Sequence, residues 1–153
     1  MVDEEFLTQI RGYLPSIEKL RNYPSHRIIS RKNSSSKFDH SIRVSILSYR
    51  IAKKIGADAR ICARAGLLHD WGYLALDIES DVFRHPSIGA EMAERIGQKE
   101  VAEIISSHMF PVGKPPRSAE ALIVWFTDKL DSLLELFHLT NFIDTCKMII
   151  EKS

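Results

Sequence analysis

The feature that most restricts this chain is a set of histidines and aspartates standing on the same helical stripes as its apolar residues. From His40, the residues Val44, Leu47, Ile51 and Ile55 recur at helical spacing, and Gly56 stands where a C-terminal cap belongs. Asp58 is the natural N-cap of a second helix that carries Ile61, Ala65 and Leu68 inward, with His69 next in line and Gly72 ending it. Pro86 suits the first turn of a third helix, whose stripe Ile88, Met92 and Ile96 runs to Gly97, with His85 just before it. Between Lys99 and Met109, the residues Val101, Ile104, Ile105 and His108 share one face until PVGKPPR breaks the pattern. Ser118 then caps a long helix whose ALIVWF run is apolar on nearly every side, which predicts a central, buried helix with Asp128 soon after the run. The serine-rich run from Arg31 to Lys37 (RKNSSSK) reads as a loop. No segment alternates with period two between turn signals, so the spacing predicts an all-α fold of about six helices.

Those polar residues occupy costly positions. A carboxylate such as Asp70 or Asp128, beside LL or WF, loses hydration on burial and needs a counter-charge. A divalent metal supplies one. Imidazole nitrogens with carboxylate oxygens suit Zn, Fe, Mn, Ni or Co, and ligands so far apart in sequence meet only through tertiary packing. A lone histidine on an apolar stripe is more often a hydrogen-bonded core residue, and an HD dipeptide by itself is a weak signal. The ordered set His40, His69-Asp70, His85, His108 and Asp128, repeatedly at a helix end or inner face, makes coincidence a poor account. His26 and His138 fall outside that set and receive no role.

A chain of 153 residues fits one domain, 1–153, that can bury a sizeable core without disulfides. Charged residues at 27% and apolar residues at 44% are ordinary globular usage and argue against long disorder. A net charge of +1 gives no general field for nucleic acid or membrane, so neither is an expected partner and an anionic ligand must meet local positive charge. Cys62 and Cys146 do not make a disulfide framework. The acidic start MVDEEFLTQIRGYL lacks the order of a signal peptide, and no run approaches the roughly 18 apolar residues of a membrane span, so the expected location is cytoplasmic. The terminal stretches EEFLTQIRGYL and NFIDTCKMIIEK are amphipathic and suit either packing over the core or a homodimer interface.

The order H…HD…H…H…D over roughly residues 38 to 137 resembles the HD-domain superfamily of metal-dependent phosphohydrolases. HPSIGAEMAE resembles the histidine segment of its two-metal members, and HMFPVGKPPRSAEALIVWFTDKLDSLLE resembles small bacterial HD-domain proteins with a similar HM-aromatic-P, PPR, EA and DK pattern. The resemblance implies a helical bundle of the HD-domain type. It implies that His40, His69, Asp70 and Asp128 hold one metal, while Asp70, as a bridge, holds a second with His85 and His108. The cofactors are then two divalent ions drawn from Fe, Mn, Ni, Co, Zn and Mg, and the reaction is attack of a metal-bound water on a phosphomonoester or phosphodiester. A nucleotide or related small phosphorylated metabolite is the expected substrate.

The sequence departs from the family in two places. Many two-metal members carry a lysine three residues after the HD aspartate, where HDWGYL has Tyr73. The glycine-tyrosine-proline signature of the cyclic-di-GMP class is absent, with SSHMFP in its place. The expected catalytic residues are Asp70 and Lys129, the latter for following Asp128 directly, and the expected substrate contacts are Arg64, Tyr73, Lys114 and Arg117. Trp71, Phe83 and Phe110 join Tyr73 as candidate pocket walls. Two other readings use the same residues: a catalytically silent module that binds metal or nucleotide as a sensor, and a di-iron oxygenase on the same fold.

Overall fold

A computed structural model describes residues 2–25, 35–76, 82–137 and 139–152. His26, His138 and residues 31–34 of the serine-rich run lie outside these. Eight α-helices are described: α1 (Glu4–Ile10), α2 (Leu14–Ile17), α3 (Lys37–Ile55), α4 (Ala59–Leu68), α5 (His85–Arg95), α6 (Lys99–Ser106), α7 (Ala119–Leu136) and α8 (Asn141–Lys152). Short 3-10 turns cover Glu18–Asn22, Trp71–Ala75 and Val82–Arg84. The count exceeds six because single-turn elements such as α2 have no stripe of their own. No sheet forms among the described residues, where Pro24 and Ser36 make one isolated bridge.

The central helix is α3, not α7. Phe38, Ile42, Ile46 and Tyr49 of α3 enter the main core, while its Ser45 hydroxyl donates to the Ala63 carbonyl at 2.6 Å and Ser48 bonds Thr127 at 2.6 Å. Small polar residues with local partners let neighbouring helices press on α3 from several sides. In contrast, α7 buries Ala121, Val124, Thr127 and Asp131 and leaves Leu122, Phe126 and Leu133 about half exposed. Its apolar run is thus wider than the face it packs, which corrects the expectation of a buried α7.

Caps set the boundaries near the centre. Ser36 and Asp39 form a reciprocal capping box, so Lys37 opens α3 instead of closing the loop. Gly56 ends α3 with φ of 79°, and the Asp58 carboxylate accepts from the Arg60 and Ile61 amides to start α4. Two glycine contacts fix the approach of the helices. A Cβ on Gly66 would lie 2.8 Å from Ser45 Cα, so α4 crosses α3 backbone to backbone. A Cβ on Gly72 would lie 2.1 Å from the His85 carbonyl oxygen and 2.8 Å from the Gly89 nitrogen. That contact overturns the predicted Ile88–Met92–Ile96 stripe: α5 buries His85, Pro86, Gly89 and Ala93, and Ile96 is 47% exposed. Both termini pack over the core, through Phe6, Leu7 and Ile10 of α1 and Ile143, Cys146 and Ile150 of α8.

Candidate metal centre

Five elements deliver the polar set to one place. His40 comes from the first turn of α3, His69 and Asp70 from the C-terminal end of α4, His85 from the start of α5, His108 from the turn after α6, and Asp128 from the middle of α7. All four imidazoles are buried. They make a row, with ring centroids 5.0 Å apart for His40 and His69, 5.1 Å for His69 and His108, and 4.9 Å for His108 and His85.

Each ring is held by its Nδ1. His69 Nδ1 lies 2.6 Å from the Gly66 carbonyl, His85 Nδ1 2.5 Å from Val82 and His108 Nδ1 2.7 Å from Ile105, in each case the carbonyl three residues back. His40 Nδ1 instead meets Asp131 Oδ2 at 2.8 Å. A carbonyl or carboxylate accepts, so every Nδ1 is the donor and every Nε2 turns inward. There the Nε2 atoms of His40 and His69 are 3.2 Å apart, and those of His85 and His108 are 2.9 Å apart. Two nitrogen lone pairs at such distances repel unless a cation stands between them. Two nitrogens each about 2.1 Å from one ion are about 3.0 Å apart at a right angle and about 3.4 Å apart at a tetrahedral angle, so the observed spacings fit shared ligation.

The carboxylates complete two groups around these pairs. Asp128 Oδ1 is 2.9 Å from His40 Nε2 and 3.4 Å from His69 Nε2, while Asp70 Oδ2 is 3.3 Å from His69 Nε2 and 3.9 Å from His40 Nε2. The other oxygen, Asp70 Oδ1, is 3.2 Å from His85 Nε2 and 3.7 Å from His108 Nε2. One carboxylate therefore faces both groups. A further cluster of His40, Asp131 and Glu135 already contains its cation: Arg43 Nε donates to Asp131 at 2.9 Å and Arg43 Nη2 to Glu135 at 3.2 Å.

Without a metal, the charge balance falls to protons. Burial disfavours the charged form of His40 and His69, yet the facing carboxylates Asp128, Asp131 and Asp70 outweigh it and raise these imidazoles to about 9 and about 10. Burial also opposes the charge on Asp70 and Asp128, but the surrounding histidines hold both carboxyls well below the usual range. His108 moves the other way, lowered by burial and by the charge of its neighbours His69 and His85. The donor set thus demands positive charge while one of its members rejects a proton, a pattern that a divalent ion resolves.

The remaining predicted residues divide. Tyr73 reaches the centre, its ring stacked on that of His85 at 4.0 Å with 20° between planes. Lys129 also reaches it: its ammonium donates to the His108 carbonyl, pairs with Asp128 Oδ2 at 3.3 Å and lies 5.3 Å from the Trp125 ring centroid. Arg64, Lys114 and Arg117 are placed elsewhere. Arg64 donates to Gln9 of α1 at 2.8 Å, because α4 turns that face to the N-terminal helix. Lys114 and Arg117 line a surface groove of about 530 Å³ with Asp58, Glu100, Glu103 and Glu120, apart from the histidines. Phe83 is 67% exposed and walls a different groove, and the Phe110 carbonyl accepts from the Trp125 indole. The residues that sequence reasoning missed are Asp131, Arg43 and Glu135 behind His40, and Lys37 over Tyr73.

Residues 38–133 match the family model of the HD domain. Ribonuclease Y of Thermotoga petrophila is 34% identical over 128 residues, which cover 83% of this chain and 24% of that protein. Ribonuclease Y of Oleidesulfovibrio alaskensis is 34% identical over 123 residues, covering 79% of this chain and 22% of that protein. The chain spans about a quarter of the length of these curated relatives. The HD domain of the L. monocytogenes phosphodiesterase PgpH superposes with a TM-score of 0.56 at 14% identity, covering 96% of this chain and 86% of that one, a likeness of fold. The chain belongs to the HD-domain family.

Proposed function

We propose that this chain hydrolyses a phosphomonoester or phosphodiester at a centre for two divalent ions. His40, His69, Asp70 and Asp128 hold one ion, and Asp70, His85 and His108 hold the other. The observation that carries this reading is the divided Asp70 carboxylate, with Oδ2 toward His69 and Oδ1 toward His85. Bound ions would supply a site that activates water and neutralises charge on phosphoryl oxygens. The chain's own groups do the rest: Asp131 and the backbone carbonyls orient the imidazoles, Tyr73 walls one side, and Lys129 stands beside Asp128 as a candidate catalytic cation. Arg64, Lys114 and Arg117 have no part in it.

A nucleotide or similar small phosphate ester suits the surface. The net charge is +1, and the grooves around α5 and α6 carry Glu91, Glu94, Glu100 and Glu103, which repel a long polyanion. RNA is the second reading, favoured by the identity with ribonuclease Y. Completeness of both donor groups speaks against a silent sensor module. None of the described helices is long and apolar enough to cross a membrane, and a cytoplasmic setting is part of this proposal.

The test is metal analysis together with hydrolysis of p-nitrophenyl phosphate and bis(p-nitrophenyl) phosphate under added Mn, Fe, Ni, Co, Zn or Mg. Two equivalents of metal and metal-dependent turnover are expected, and both should disappear in Asp70→Ala with helical content retained. Full metal content in that variant would remove the bridging role. Nucleotides and a labelled oligoribonucleotide then separate the two substrate readings, and oxygen consumption by an iron-loaded sample would point to the oxygenase instead.

A further inference from the structure

Lys37 opens α3 one helical turn before His40, so the two side chains leave neighbouring positions on one face of that helix. Its ammonium lies 4.3 Å from the centroid of the Tyr73 ring. That same ring stacks on the His85 imidazole at 4.0 Å. Lys37 therefore stands one turn from a residue of the first ligand group and one aromatic contact from a residue of the second.

Among the described residues, the charge of Lys37 has no carboxylate partner. The carboxylates of its own helix turn and of the centre have other partners: Asp39 takes Lys147 at 2.5 Å, Asp128 takes His40 and Lys129, and Asp70 faces the imidazoles. The face of a phenol is a weak partner for a half-buried ammonium, and an anion carrying full charge displaces it readily. Lys129, by contrast, is already committed to Asp128 and the His108 carbonyl.

We propose that Lys37 is a substrate-binding residue, whose ammonium donates to a non-bridging oxygen of the substrate's phosphate, with the Tyr73 ring as the platform that keeps it beside the metal centre. The assignment rests on the hydrolase reading, and its ligand class is a phosphate ester anion or the inorganic phosphate it releases.

The experiment compares wild type, Lys37→Ala and Lys37→Arg, each loaded with Mn²⁺. Steady-state hydrolysis of bis(p-nitrophenyl) phosphate is measured alongside calorimetric binding of inorganic phosphate and of Mn²⁺ itself. Loss of a charge-assisted bond to phosphate should raise KM and weaken phosphate binding by about tenfold or more in Lys37→Ala, with a smaller change in kcat. Mn²⁺ affinity should stay at the wild-type value, and Lys37→Arg should restore most of the loss. Wild-type KM and phosphate binding in Lys37→Ala would overturn the proposal. So would a loss of Mn²⁺ affinity, or an arginine that restores nothing, since either assigns the residue a structural role. If the wild type shows no turnover with any metal while Lys37→Ala still loses phosphate, the hydrolase reading fails and the phosphate site stands.

Discussion

At the scale of single residues, the centre depends on side chains that touch no substrate. Asp131 is fully buried, accepts from His40 Nδ1 at 2.8 Å and is itself held by Arg43 Nε at 2.9 Å. It fixes which imidazole nitrogen turns inward, and the bond from Arg43 holds the carboxylate in place. Glu135 continues the network, accepting from Ser25 and Ser35 hydroxyls at 2.6 Å each and so tying the segment before α3 to α7. Replacing Asp131 with asparagine leaves part of the Arg43 charge unpaired in the core and should cost about 3 kcal/mol of stability, read by denaturant unfolding. It should also weaken Mn²⁺ binding by about 10-fold or more, because His40 loses its orienting partner. Unchanged Mn²⁺ affinity would deny Asp131 its positioning role. The sequence held a signal for this network: Asp128, Asp131 and Glu135 recur at helical spacing inside a largely apolar helix, and Arg43 follows His40 by one turn. Asp131 and Glu135 nevertheless read locally as solvated carboxylates of a helix face, since nothing local says that His40 and Arg43 cover them. Lys37 had no comparable signal, since its contact with Tyr73 spans elements far apart in sequence.

At the scale of elements, caps and periodicity were legible and packing partners were not. Gly56, Asp58, Pro86 and Ser118 mark boundaries through local backbone chemistry, and the structure places helix ends where they predict. Burial of a face depends on the neighbour, which no local pattern names. Hence ALIVWF overstates the burial of α7, and the Ile88–Met92–Ile96 stripe yields to the Gly89 face once Gly72 presses against it. That glycine contact is the element-scale device that sets His85. Adding a methyl group at Gly72 would drive it into the His85 carbonyl, so Gly72→Ala should shift α5 and destabilise the fold by about 3 kcal/mol. Because only the second donor group contains His85, the variant should retain one tightly bound metal and lose the other, as elemental analysis would report. Two retained equivalents would show that α5 can move without dislodging its ligand.

At the scale of the whole molecule, helices at both ends close over a core that the central site interrupts with charge. Asp3 helps to dock α1: it accepts from the Phe6 amide at 2.9 Å and the Tyr49 hydroxyl at 2.8 Å and lies 3.3 Å from Lys53. Partial burial opposes its charge, but those donors prevail and hold its carboxyl below the ordinary value. A carboxyl lowered on folding stabilises above its unfolded pKa of about 3.9, and the contribution disappears as pH falls through the folded value. Asp3→Ala should therefore cost about 1 kcal/mol at pH 6, the usual worth of an N-cap, and the gap to wild type should narrow below about pH 4. A gap independent of pH would assign the loss to packing alone. The centre is the larger lever on the whole fold, because six ligand candidates from five elements meet there and an ion that binds them ties α3, α4, α5, α7 and the turn after α6 together. An ion at about 1,000 times its Kd stabilises the folded state by about 4 kcal/mol, since the unfolded chain presents no assembled site. For a chain of this size that corresponds to about 10 °C in Tm. Stripping metal with a chelator should lower Tm by that amount, Mn²⁺ should restore it, and Asp70→Ala should show no metal-dependent shift. If chelator and Mn²⁺ leave the wild-type Tm unmoved, the buried charge is balanced by protons on His40 and His69, and the close imidazole pairs are not held by a metal.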